Sequence, residues 1–312
     1  MNEYLNNLLA RMLDDSDRDM RPFDSSKTIH WKALREAEKL TDESFVSELI
    51  EFIDTEKDKE KRDKAYFILG QVAKNTNNIT AIKYLIARID NETDESVLCS
   101  LLERIRYLQK PKDIDIQPII RAVNNKNRNV MHSAILALEN TENESVEDVL
   151  IAILENPKSD EYDLMYANWA LQNVGTKKSV PCLTKLVARK KLDVSSSALS
   201  AIISISDESC LPLCLEQLDK GKIKATALEG VLKFGNETVI PNIIKRIKEL
   251  VARQRQRIVI AAKERKTEII VGMEFLQKYP ENAEVKQMFE YLQTKKYDLL
   301  WEEEKEWLKK NV

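Results

Sequence analysis

The chain has 312 residues, 43% hydrophobic and 32% charged, with only six glycines and eight prolines; that make-up fits a well-packed protein facing water with little room for long loops. A net charge of −3 lacks the overall positive excess of a dedicated duplex-DNA binder. No run approaches the roughly 20 apolar residues of a membrane span, and the opening Met1-Asn2-Glu3-Tyr4 lacks the basic-then-apolar layout of a secretory leader, so the expected compartment is the cytoplasm.

Leu, Ile, Ala, Lys and Glu dominate and strand-type alternation is scarce, which predicts helix throughout. A short helix is expected over Tyr4 to Leu13, then an acidic connector Asp14 to Asp19 and Pro22. Residues 46–73 and 81–108 each read as a pair of amphipathic helices. From there a beat sets in. Small residues recur three positions apart at Ala134/Ala137, Ala167/Ala170, Ala198/Ala201 and Ala227/Gly230, about 30 residues from one pair to the next. A large apolar residue follows each pair, at Leu138, Leu171, Ile202 and Val231.

Between these small-residue helices lie shorter ones with proline near the start: Pro118, Pro181, Pro212 and Pro241, with Asp148 in the equivalent slot of the remaining unit. In the first turn proline has no intrahelical N–H partner to lose, so it marks a helix start without breaking it. Glycine follows two of the second helices, at Val174-Gly175 and Phe234-Gly235, where a left-handed stop is expected.

The Pro-bearing first helix, the Ala-x-x-Ala-Leu second helix and the glycine stop resemble HEAT repeats and the HEAT-like repeats of phycobilin lyases, most clearly over residues 114–245. Where that family often has Asp-x-x-Val-Arg, this chain has Asn127-Arg128-Asn129-Val130-Met131. The resemblance implies an all-α, right-handed α-α superhelix, a HEAT-like solenoid of about seven or eight helical pairs. Residues 1–40 then form an N-terminal cap, 41–280 the array, and 281–312 a C-terminal cap carrying Trp301 and Trp307. It also implies that the second helices line the concave surface.

One second helix differs from its neighbours. At 100° per residue, Leu164, Ala167, Leu171 and Val174 form its core stripe, and Tyr162, Tyr166, Trp169 and Asn173 cluster on the other side. Aligned by the small residues, the preceding unit adds Asn129, His132, Ser133, Leu136 and Asn140 to that face; the following unit adds Asp193, Ser196, Ser197, Ser200 and Ser204. Tyr and Trp offer large rigid contact area with a polar tip, so this face is the candidate partner-binding surface.

A second anomaly is residues 245–266, which hold nine basic residues against Glu249 and Glu264 and read as a long amphipathic helix. Arg246, Arg253, Arg255 and Arg257 are its candidate contacts for phosphates or an acidic partner.

Cys99, Cys182, Cys210 and Cys214 are too few for a disulfide framework and read as small helix residues; with two distant histidines they suggest no metal set. There is no phosphate-binding glycine loop and no His-Glu dipeptide of the kind HEAT-type deoxyhypusine hydroxylase uses for iron, and no cofactor is expected. The leading expectation is a non-catalytic scaffold that binds another protein or peptide, in the manner of small bacterial HEAT-like adaptors, regulators or immunity proteins. The alternative is nucleic-acid binding through the basic segment, with a glycosylase of alkylated bases, Asp163 among the groove aromatics, as its enzymatic form.

Overall fold

A computed structural model describes residues 1–17, 24–189, 191–255 and 266–312. Among them every extended element is helical, and the chain divides into two compact units, Met1–Cys182 and Leu183–Val312.

In the first unit the helices are α1 (Glu3–Met12), α2 (Ile29–Ala37), α3 (Phe45–Thr55), α4 (Lys59–Thr76), α5 (Ile79–Arg88), α6 (Glu95–Arg106), α7 (Gln117–Ala122), α8 (Arg128–Ala137), α9 (Ser145–Glu155) and α10 (Glu161–Val174). The division falls within α11 (Val180–Val187). From α3 on they pack as two layers: α3, α5 and α7 touch in succession, and α4, α6, α8 and α10 do the same. The second unit repeats the pattern with α12 (Leu192–Ile205), α14 (Lys224–Phe234), α16 (Glu268–Leu276) and α18 (Glu302–Asn311) in one layer. Its other layer holds α13 (Leu211–Lys220), α15 (Ile240–Leu250) and α17 (Ala283–Thr294).

Within each unit the small-residue beat explains the close spacing of the second helices. Ala134, Ala137, Ala167, Ala170, Ala198, Ala201 and Ala227 are completely buried, which lets backbones approach closely. At Gly230 a Cβ would stand 2.4 Å from Cys214 Sγ and 2.9 Å from Ile203 Cδ1, so only hydrogen fits there.

Polar contacts within the first unit keep the same period. The first residue of each second helix reaches the N-cap side chain of the next one: Lys59 to Asp94 at 3.1 Å, Glu95 to Asn127 at 2.6 Å, and Arg128 to Asp160. Arg62 with Glu92 and Arg106 with Glu139 form parallel bidentate pairs, 30 and 33 residues apart. Burial pushes the Glu92 carboxyl up, but hydrogen bonds from Arg62 and the Asp94 N–H outweigh it and hold the group ionised.

Two elements differ from the sequence expectation. Gly175 and Gly235 end their helices in extended conformation, with φ of −74° and −77°, and no described glycine has a positive φ. Close approach explains Gly235 instead, since a Cβ would stand 2.5 Å from both Val231 O and Val239 Cγ2. The left-handed positions belong to Asn77 and Asn140. After the helix ends, Thr176, Asp207 and Asn236 each cap a short 3-10 turn by accepting the N–H two residues on, and that turn delivers the chain to the proline-bearing helix.

The second difference concerns the basic segment. α15 stops at Leu250, residues 251–255 are not helical, and 256–265, with Arg257 among them, lie outside the described residues. Val251 is buried at the helix end, and the chain leaves the helix so that Arg255 reaches Glu304.

Lys110 is an unforeseen core residue. It is fully buried between α6 and α7, and its Nζ donates to Ile105 O at 2.9 Å in the last turn of α6 and to Leu108 O at 2.7 Å just beyond it. Burial lowers its pKa from 10.5 to about 7 against a partly restoring charge on Glu139. Its backbone pairs with the next loop, donating to Asn140 O and accepting from the Glu142 N–H.

Candidate functional site

The site starts from a helix cap. Asp160 and Asp163 form a capping box at the start of α10, each carboxylate accepting the other's backbone N–H at 3.0 Å. This fixes the Asp163 side chain toward α8. His132 Nε2 lies 2.8 Å from Asp163 Oδ1, and because an ionised carboxylate can only accept, that nitrogen carries the proton. Arg128 pairs with Asp160 and stands 3.5 Å from Asp163.

With its edge held, the His132 ring lies flat on Tyr166, centroids 4.3 Å apart and planes 9° from parallel. Trp169 meets Tyr166 edge-on at 5.1 Å. The result is a continuous aromatic surface from α8 onto α10. Tyr162, one turn before Tyr166, is 64% exposed and Trp169 is 38% exposed, an unusual display for large aromatic groups.

Next to these rings lies a cleft of about 530 Å³ lined by Glu95, Ser96, Cys99, Asn129, His132 and Tyr166 among others. Burial raises the Cys99 thiol pKa more than its hydrogen bond to Ser133 lowers it, so the group is protonated at neutral pH and a poor nucleophile. Ser96 also lines a neighbouring cleft of about 390 Å³, which holds Asp15, Glu60, Asp63 and Asp94 with Lys59 and Lys64.

Of the candidate residues, His132, Tyr166 and Trp169 are brought into direct contact, Asn129 joins them at the cleft, and Tyr162 stands beside them on α10. Leu136 is half-buried on α8. Asn173 does something else: its Oδ1 accepts the Asn140 N–H at 2.6 Å, and Asn140 Nδ2 donates to Arg106 O, linking the ends of three second helices. Sequence reading missed Arg128, Glu95 and Cys99 as neighbours. Their one-repeat offsets from Asp160, Asn127 and Ser133 were the available signal.

The basic-segment candidates separate sharply. Arg246 makes a bidentate pair with Glu268 at 2.9 and 3.0 Å and also reaches Glu249. Arg255 is clamped by Glu304, which is fully buried and also accepts from Thr267 Oγ1 and the Trp301 N–H; its guanidinium stacks 4.4 Å from the Trp301 ring centroid. Both charges are therefore neutralised inside the unit. Arg253 is exposed. Further along, Ser196 and Thr226 hydroxyls share a hydrogen bond of 2.7 Å, and Lys233 donates to Ile203 O.

The geometry defines a class: an all-helical protein of paired helices whose most distinctive surface is an exposed aromatic row beside a polar cleft. Among the described residues no group of three or more His, Cys, Asp or Glu could hold a metal, and no helix is long and apolar enough to cross a membrane. Compared with known proteins, the sequence matches no family model and no curated protein.

Proposed function

We propose that the helix pairs form a HEAT-like array and that the protein acts by binding another protein or peptide on the α8–α10 face, without catalysis. The observation that carries this reading is the aromatic row itself: Tyr162 and Trp169 are displayed to solvent, Trp169 meets Tyr166 edge-on, and Tyr166 stacks on His132, which is held by Asp163. A cap, a hydrogen bond and two ring contacts fix His132, Tyr166 and Trp169 before any ligand arrives, which lowers the ordering cost of binding. The one-repeat offset of the polar contacts and the two-layer packing support the array.

The test is quantitative capture from the native cell with three baits: the parent protein, Trp169→Ala, and Arg253→Ala as a surface control. A protein held by the parent and by Arg253→Ala but lost from Trp169→Ala supports the reading. Capture that is indifferent to Trp169 rejects it.

The second unit favours a second reading, nucleic-acid contact, through its 24 basic against 19 acidic residues and its exposed Arg253. The internal pairing of Arg246 and Arg255 weighs against it. Binding to DNA or RNA that weakens steeply with salt would support it, and no binding at low salt would remove it.

A further inference from the structure

The charge of the first unit narrows the partner. Residues 1–182 hold 33 acidic and 25 basic side chains, a net −8, so the aromatic row stands on a strongly negative body. The two adjoining clefts are lined by five carboxylates, Asp15, Glu60, Asp63, Asp94 and Glu95, against two lysines. Both lysines are paired, Lys59 with Asp94 and Lys64 with Asp63, which leaves the clefts an excess of three carboxylates. Arg128, one helical turn before His132 on α8, is likewise engaged by Asp160 and Asp163.

From this complementarity we infer that the α8–α10 face takes an arginine- or lysine-rich segment of its partner, with cationic heads over the Tyr162 and Trp169 rings and neighbouring basic residues along the acidic clefts. The inference rests on the reading of this face as a protein-binding surface.

The physical basis is twofold. A cation over an aromatic face is attracted by the ring quadrupole, and the chain uses such contacts itself, with Lys74 5.5 Å from the Tyr107 centroid and Arg104 4.7 Å from that of Phe67. The surrounding field then raises the local concentration of a basic segment and repels an acidic one. Ser96 lines both clefts, so the carboxylate-lined pocket adjoins the one beside the aromatic row, within reach of a single extended peptide.

The experiment uses the full chain and three synthetic ten-residue peptides of matched spacing, carrying arginine and lysine, glutamine, or glutamate. Binding is followed by fluorescence anisotropy of a label on the peptide, at low and moderate salt. The basic peptide is expected to bind at least about tenfold tighter than the glutamine peptide, and the acidic peptide not at all. Tyr162→Ala and Trp169→Ala are each expected to weaken it by roughly 2- to 30-fold. Glu60→Gln with Glu95→Gln should weaken it and flatten its salt dependence.

Tyr162 is exposed enough that its replacement keeps the fold even if Trp169→Ala does not. Equal affinity for the glutamine peptide overturns the inference, and so does basic-peptide binding that ignores both aromatic replacements. Self-association of the chain that competes the peptide away also overturns it, by making a second copy the occupant. A captured partner that depends on Trp169 yet contacts the face through an acidic or neutral segment would sink the charge assignment alone and leave the binding face standing.

Discussion

His132 and Asp163 sit 31 residues apart in sequence and 2.8 Å apart in space, and their hydrogen bond ties a helix cap to an aromatic surface. Asp163 is 4% exposed and serves the capping box, His132 and Arg128 at once. Asp163→Ala is therefore expected to cost about 2–4 kcal/mol in urea unfolding, through the lost cap and the unpaired partners. Asp163→Asn, which keeps an acceptor, should cost less. Near-UV circular dichroism should also change in both, since the Tyr166 and Trp169 environment depends on the His132 ring.

Gly230 tests the close approach of α14 to α12 and α13. On an exposed helix, replacing glycine by alanine stabilises by roughly 1 kcal/mol. Here the added methyl meets Cys214 Sγ and Ile203 Cδ1, so Gly230→Ala should instead destabilise by about 1–2 kcal/mol in denaturant melts.

Lys110 gives stability an alkaline slope. Its pKa is about 7 when folded and near 10.5 when unfolded, so between those values the unfolded chain binds more protons and stability rises with pH. Below pH 7 both states are charged, the slope vanishes, and the full cost of burying the ammonium remains. The contribution inside the window approaches about 1.4 kcal/mol per pH unit. Unfolding free energies measured from pH 7 to 9 should rise less steeply in Lys110→Met than in the parent.

Arg255 and Glu304 should behave as structural partners. Glu304→Ala strands a guanidinium that is largely enclosed by Trp301 and Leu299, and is expected to cost about 3–5 kcal/mol. Arg253→Ala, on the surface nearby, should stay within about 0.5 kcal/mol. Paired thermal melts separate the two.

These residues also mark how far sequence reading reached. Ala134 to Gly230 revealed the second helices because a 3.6-residue period and a 30-residue period can both be read along one chain. Pro118, Pro212 and Pro241 fall in the first turns of α7, α13 and α15 for the steric reason given. The aromatic grouping on α10 was legible from helical angles alone. Arg255 looked like a surface cation because its partner lies 49 residues away, and no local spacing announces such a pair. Lys110 was invisible for a related reason: its burial depends on loops meeting across a repeat. The capped 3-10 turns at Thr176, Asp207 and Asn236 are legible as a polar residue five positions before Pro181, Pro212 and Pro241, a signal that the glycines next to Thr176 and Asn236 obscure.

The most direct test of the binding face is the affinity of Trp169→Ala for the partner captured by the parent protein, measured by calorimetry on a variant whose thermal midpoint matches the parent. A loss of about 2 kcal/mol or more, roughly 30-fold, is the expected result. An affinity within about 0.5 kcal/mol of the parent would contradict the assignment of this face.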